Sequence, residues 1–417
     1  MIIERREAQQ LKKIDSWILV YGRRKTGKTF LLRRYVNWNL YITVTRGFSA
    51  ITEERNGDIR FSNIKDALLN VTRYIESGGI VVIDEFQRVP YEFWDLIAVT
   101  KHRGGGKVIL CGSSFSITRD VFDKRSPLLG LFAPIEIGLV HPADAIYPFQ
   151  KIFSVKDAFL WGLIARDPWI LGLVKPKNGV ITTIIENYKP LVSSVSGLVG
   201  EVFEEEDRKL TRLYDAVLRL LSLNYWSSAD IAQKLYESRL IEKPEMGIVT
   251  GILNQLYNMG FVDKVKLVYT RGGRTYYRHK SSLISLLLYI DEKYGDRDVK
   301  PNLDDIASKI GFELQFFLGE ILAEYKKLDR GYLIMPRGEG DIDIVLLSRG
   351  RPVIAYEVKI GPITVNEARK AVKNMERYDF LKTGLISLSE EPPQLADEVL
   401  GPEKLVNIVR GLRGGLG

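Results

Sequence analysis

Several groups of residues in this chain have the types and spacing to do chemistry. Residues 22–29 read GRRKTGKT and fill the pattern G-x-x-x-x-G-K-[ST]. Glycines there let backbone N–H groups turn toward an anion, and a helix opening at Lys28 points its positive end at it. In that setting Gly22, Arg23, Arg24, Lys25, Thr26 and Gly27 wrap nucleotide phosphates. Lys28 reaches the β- and γ-phosphates, and Thr29 offers its hydroxyl to Mg2+. Asp84 and Glu85 close the run GIVVIDE. Asp84 suits a Mg2+ held directly or through water, and Glu85 suits a general base that polarises the attacking water. Read in isolation, the loop is a glycine turn and the acids solvate a strand end.

A second set lies near the C-terminus. Glu320 falls on a helix, Asp343 in the run GDIDIVLL, and Glu357-x-Lys359 in PVIAYEVK. Carboxylates on adjacent strands can bind Mg2+ through oxygen. The period of two along a strand puts Glu357 and Lys359 on one face. Lys359 can there orient or deprotonate a water and offset phosphate charge. Glu320 would support the metal, and Asp341 is an alternate ligand on the face of Asp343. The bland alternative is a solvated strand edge. A third set is basic: Lys264, Lys266, Arg271, Arg274, Arg278 and Lys280 fall in one stretch with no acid, interleaved with Tyr276 and Tyr277. Such a stretch suits phosphate contacts along DNA.

Positioning these residues requires particular elements. Apolar runs at 17–21, 40–45, 79–84 and 107–112, and a weaker one at 135–137, predict strands. Helical spacing at 28–38, 63–76 and 91–100 alternates with them, which predicts a parallel sheet with helices on both sides. With one strand (40–45) between the two acidic and glycine motifs, the segment resembles the additional-strand class of P-loop NTPases with a catalytic glutamate. That resemblance implies that 107–112 lies between the other two motif strands, with Ser113 facing the γ-phosphate as a sensor. A cap on the next helix is the other reading of Ser113. It also implies an arginine from a neighbouring subunit if the chain oligomerises. Arg119, Arg125 and Arg166 are the candidates, with a solvated surface arginine the better reading of each. Taken in order, GRRKTGKT, IVVIDEFQ, ILCGSS and SPLLGLF resemble the archaeal ATPase family of the AAA+/STAND-like group. Members often carry an arginine after the last segment; here Leu131-Phe132-Ala133-Pro134 lacks it.

Beyond residue 140 the pattern changes. Segments 155–166, 180–188 and 198–210 read as helices. Three further helices (213–223, one capped by Ser227 or Ser228, and 247–260) precede strands at 261–268 and 275–278 joined by TRGGR. That is the order of a winged helix-turn-helix, used either on DNA or as a protein-docking spacer. A final helix (312–326), three strands (332–335, 340–347, 352–359), a helix (365–378) and a strand (384–387) carry the E…D…ExK set. They resemble the PD-(D/E)xK restriction-endonuclease-like superfamily, many members of which keep the fold without catalysis. The expected fold class is α/β. The expected organisation is an ATPase core (1–140), a helical lid (141–207), a winged helix-turn-helix (208–292) and a nuclease-like α+β domain (300–410).

Composition bounds the rest. The chain has 417 residues, 60 Lys+Arg against 52 Asp+Glu, and a net charge of +8. With 45% hydrophobic and 27% charged residues, a mainly disordered chain is excluded. The single cysteine, Cys111, excludes an internal disulfide and a cysteine-ligated zinc. The polar N-terminus and short apolar runs point to a cytoplasmic protein with no membrane partner. The expected function is ATP binding and hydrolysis with Mg2+, association with DNA, and a Mg2+-dependent endonuclease domain. A nucleotide-dependent switch, scaffold or transcription regulator that does not cut is the alternative, and a homo-oligomer is compatible with either.

Overall fold

The computed structural model describes every residue except Phe48, 113–115, 207–210, 270–274, 296–298, 334–340, Asp379 and 415–417. It divides into two compact units: residues 4–139 with 258–260, and residues 1–3, 140–257 and 261–417.

The first unit opens with α1 (Glu7–Lys13), β1 (Trp17–Tyr21), α2 (Lys28–Tyr35), β2 (Leu40–Val44), β3 (Ser49–Glu54) and β4 (Ile59–Asn63). It continues with α3 (Ile64–Glu76), β5 (Ile80–Asp84), α4 (Trp94–Thr100), β6 (Lys107–Cys111), α5 (Ser116–Val121) and β7 (Phe132–Glu136). The seven strands form one sheet in the order β4-β3-β2-β5-β6-β1-β7. From β2 to β7 every pairing is parallel. β6 lies between β1 and β5, as the resemblance implied. Along each central strand alternate side chains enter opposite cores. Trp17, Leu19, Val81, Ile83, Val108 and Leu110 pack with α3 and α4, whereas Ile18, Val20, Val82, Ile109 and Cys111 pack with Leu31 and Leu32 of α2. Burial on both faces explains why these strands read as unbroken apolar runs.

Three strands, not one, separate the two motifs. β3 and β4 form an antiparallel hairpin outside β2. Their sequences, SAITEE and IRFSN, lack the apolar run that marks a doubly covered strand, because one face of this hairpin is open. Helix α2 also stops at Tyr35 rather than Trp38, since Val36 turns to extended backbone (φ −97, ψ 135).

The second unit begins with α6 (Pro142–Ile146), α7 (Val155–Ala165), α8 (Ile170–Leu173), α9 (Val180–Glu186) and α10 (Tyr188–Glu206). Next come α11 (Thr211–Ser222), α12 (Ser228–Glu237), α13 (Met246–Asn258), then β8 (Val262–Val265) and β9 (Tyr276–His279), which pair antiparallel. Ser227, not Ser228, caps α12 by accepting from the Asp230 N–H. After α14 (Ser282–Tyr294) comes α15 (Leu303–Lys326), which starts well before residue 312 because Asn302 accepts from the Asp304 and Asp305 amides. β10 (Asp329–Leu333), β11 (Ile342–Ser348), β12 (Arg351–Lys359), α16 (Val365–Met375), β13 (Lys382–Ser387), β14 (Glu398–Leu400) and α17 (Pro402–Gly414) complete the chain. The five strands lie in chain order, antiparallel from β10 to β12 and parallel from β12 to β14.

The segment after β8 leaves its hairpin and joins this sheet. Leu267 bridges to Tyr332 of β10, and Val268 is buried in the sheet's core. Trp226, Phe312, Phe316 and Tyr332 form a continuous aromatic chain across the same junction. Among the described residues no helix is long and apolar enough to cross a membrane.

Candidate functional site

The glycine loop sits between β1 and α2. Gly22 has φ +140 and lies so close to the Ile137 carbonyl that a Cβ would come within 2.4 Å of its oxygen. Gly27, before the first residue of α2, has φ 94. Both positions demand glycine. Lys28 is buried, and its Nζ donates to the carbonyls of Gly22 (2.8 Å) and Arg23 (2.9 Å). Burial lowers its pKa, opposed by Cys111, Asp84 and Glu85. The loop is thus curled around its own lysine, beside the positive end of α2.

Asp84 ends β5 and faces that lysine. Its Oδ2 accepts from Thr29 Oγ1 at 2.8 Å and from the Tyr41 hydroxyl at 2.7 Å. A threonine hydroxyl and a carboxylate oxygen held side by side are a hard-oxygen donor pair of the kind Mg2+ takes. The site's chemistry therefore fits that ion. Glu85 adopts the left-handed conformation, φ 58, uncommon for a residue with a side chain. Its carboxylate accepts from Gln87 at 2.8 Å and pairs with Arg88 at 3.1 Å; Arg24 of the loop lies 3.8 Å away. Successive residues thus take separate directions, Asp84 to Thr29 and Glu85 to the arginines. Cys111 is buried beside Asp84, and burial pushes its thiol well up, so it packs rather than reacts. Ser113 lies outside the described residues.

Two contributors escaped the sequence reading. Tyr41 is a strand residue with no motif around it. Arg5 is buried, and donates to the Thr26 carbonyl at 2.7 Å and the Gly138 carbonyl at 3.1 Å while pairing with Glu7 at 2.6 Å. It ties the loop to the segment after β7. In sequence it is one charge in the polar run ERRE, indistinguishable from a solvated terminus.

In the second unit Asp343, Glu357 and Lys359 converge. Asp343 accepts from Gln315 of α15 (2.6 Å) and from the Val358 amide (2.8 Å). Lys359 pairs with Glu357 at 3.3 Å. Burial and the nearby Glu357 charge raise Asp343 to about 7. Burial opposes the charge on Lys359, but Glu357 and Asp343 prevail and raise its pKa. In metal-free protein the folded chain retains a proton at Asp343 that the unfolded chain, near its ordinary 3.8, releases. This group's contribution to stability therefore falls as pH rises across that window. Asp343→Asn should raise the thermal unfolding midpoint at pH 8 and lose that advantage toward pH 4, as read by calorimetry in chelator.

Glu320 does not join this set. Its carboxylate takes a two-point bond from Arg166, both contacts at 2.8 Å, with Arg330 at 3.9 Å. Burial would raise its pKa, but Arg166 outweighs that and holds it down at about 2. On α15 it is Gln315, not Glu320, that faces Asp343. The same ion pair occupies Arg166, which also donates to the Val140 carbonyl. Arg119 and Arg125 have side chains 80% and 92% exposed, beside Asp120 and Asp123. Asp341 precedes β11. Among the described residues no group of three or more His, Cys, Asp or Glu side chains could hold a metal ion; Asp343 and Glu357 form a pair.

The basic stretch also divides. Arg278 is buried, bonded to Glu313 at 2.9 Å and stacked 3.7 Å from the centre of Phe316, so it is a core ion and not a surface contact. Lys264, Lys266 and Lys280 are exposed, with Lys264 over the Tyr257 ring. Arg271 and Arg274 lie outside the described residues.

A family model described as an AAA domain matches residues 15–126. These residues span the glycine loop and strands β1 to β6; β7 lies beyond them. No curated protein matches the chain. Solved structures similar to it include a Walker-type ATPase of Pyrococcus abyssi, with 18% identity, 69% of this chain and 96% of that one covered, and a TM-score of 0.48. The ORC2 protein of Aeropyrum pernix, solved in ADPNP–ADP complexes, has 13% identity, coverage of 75% and 94%, and a TM-score of 0.41. The ORC1 protein of the same organism, solved with DNA, has 14% identity, coverage of 69% and 92%, and a TM-score of 0.32.

Proposed function

We propose that this chain, with an AAA domain over residues 15–126, binds and hydrolyses ATP and works on DNA. The observation that carries the first part is the meeting of Thr29 and Asp84 at 2.8 Å beside the buried Lys28. Loop amides of residues 22–29 and the N-terminus of α2 hold the phosphates. Lys28 exchanges the Gly22 and Arg23 carbonyls for phosphate oxygens. Thr29 and Asp84 hold Mg2+, which when bound neutralises charge on the phosphates. Glu85 takes the proton of the attacking water. Lys28→Ala should abolish phosphate release from ATP; a turnover equal to wild type would end the ATPase reading.

The DNA part assigns residues 1–140 to the ATPase core, 141–207 to a helical lid, 208–292 to a winged helix-turn-helix and 300–410 to a nuclease-like domain. Lys264, Lys266 and Lys280, with Arg271 and Arg274, would contact phosphates. Asp343 and Glu357 would hold a divalent metal, with Lys359 orienting the attacking water. Linear, nicked and branched DNA incubated with Mg2+ should be cut by the wild type and not by Lys359→Ala. Equal cutting by both would mark a contaminant. One observation favours a second reading, a nucleotide-dependent switch that binds without cutting: Gln315 and the Val358 amide already engage both Asp343 oxygens. DNA binding without cleavage in the wild type would select it.

A further inference from the structure

The hairpin β3–β4 forms one edge of the first unit's sheet, with β4 outermost. Its register pairs Ile51 with Phe61 and Glu53 with Ile59, so these side chains share a face. On that face Phe61 is 73% exposed, Ile59 67% and Ile51 39%. The opposite face carries Ala50 and Thr52, both buried.

The backbone of β4 is open in a defined phase. The Glu54 N–H donates to the Asp58 carbonyl at 2.9 Å. Antiparallel pairs alternate between bonded and non-bonded. Arg60 and Ser62 therefore direct their peptide groups at β3, and Ile59, Phe61 and Asn63 direct theirs off the sheet. An edge that joins unpaired peptide groups to exposed apolar side chains, with no lysine or proline in IRFSN and its one charge, Arg60, on the opposite face, is open to strand pairing.

From this phase and pattern we infer that β4 pairs antiparallel with β4 of a second copy of this chain, about a two-fold axis at Phe61. A two-fold contact is self-complementary, and β4 meets that condition. In the Phe61-centred register Phe61 faces its own counterpart, Ile59 faces Asn63, and Arg60 faces Ser62. Centring on Arg60 would oppose two guanidiniums, and like charges directly opposite destabilise a sheet. Centring on Ser62 would place Ile59 against Lys65 of α3, where the strand has ended. Of these three registers, the one centred on Phe61 satisfies both the hydrogen-bond phase and the charges.

The register is testable by cross-linking the full chain. Bonded antiparallel partners have Cα atoms roughly 5.5 Å apart, within the range a disulfide spans. Phe61→Cys should convert mostly to a disulfide-linked dimer under mild oxidation. Ile51→Cys, one strand further in on each copy and so about 14 Å from its mate, should stay uncross-linked. The native Cys111 is buried and does not compete. Sedimentation of the wild type should show a concentration-dependent dimer, and Phe61→Lys should shift it to monomer with an unchanged circular dichroism melt. A wild type that stays monomeric throughout the micromolar range would overturn the inference. So would equal cross-linking of the two cysteine variants, or a dimer undiminished in Phe61→Lys.

Discussion

Replacing Glu85 with glutamine is expected to lower ATP turnover by about 10²–10⁴-fold, the usual contribution of a positioned general base, while nucleotide binding survives. The expectation rests on how the adjacent acids are divided. Asp84 is engaged by Thr29 and Tyr41, and those bonds do not involve Glu85. Glu85 leaves the strand at φ 58 with Gln87 and Arg88 on its carboxylate. The amide of glutamine keeps the shape but cannot take a proton. Steady-state phosphate release should therefore collapse while titration with a fluorescent ATP analogue gives a near-normal affinity. Asp84→Asn should behave differently, weakening Mg2+-dependent binding as well. A Glu85→Gln enzyme that turns over within twofold of wild type would remove Glu85 from the chemistry.

The second large effect concerns stability. Glu313 of α15 is buried and receives Arg278 at 2.9 Å, Ser285 at 2.6 Å and Lys309 at 3.3 Å. Lys309 in turn donates to the Ser222 carbonyl at 2.8 Å. Truncation to alanine leaves two buried cations without their counter-charge, which costs about 3–5 kcal/mol in comparable sites. Urea unfolding of Glu313→Ala should show a midpoint far below wild type. Replacing Glu313 and Arg278 together by leucine and methionine should recover part of the loss, because it removes one of the two orphaned cations and leaves Lys309. If the single variant were as stable as wild type, the buried ion cluster would have no structural role.

The Arg278–Glu313 pair shows where sequence reading stops. Burial of a charge depends on the partner that folding brings to it. Arg278 stood among other basic residues in an acid-free stretch, and nothing local marked it as different. Its partner lies 35 residues further along, on a different element. Glu320 failed for the same reason: Arg166, 154 residues away, takes its carboxylate, and Gln315 occupies the position facing Asp343. The hairpin β3–β4 was hidden for another reason. Strands covered on one face only carry charges and threonines, and the apolar-run signal does not apply to them.

The glycine loop, the acids at the end of β5 and the apolar runs of β1, β5 and β6 were legible because each is local, whereas the order β5-β6-β1 was implied only by the resemblance. Tight turns need glycine, a doubly buried strand must be apolar, and a helix start follows the loop within a residue or two. Those constraints act within a few neighbours along the chain, so the sequence by itself determined the phosphate-binding loop, the acidic pair and the parallel core around them. Only the tertiary structure decided the loop's tie to Arg5, the separate partners taken by Asp84 and Glu85, the capture of Glu320 by Arg166 and the burial of Arg278. Each is a charge finding its partner across space, and electrostatic pairing is set by distance and desolvation in the folded state, neither of which is written in the spacing of residues along the chain.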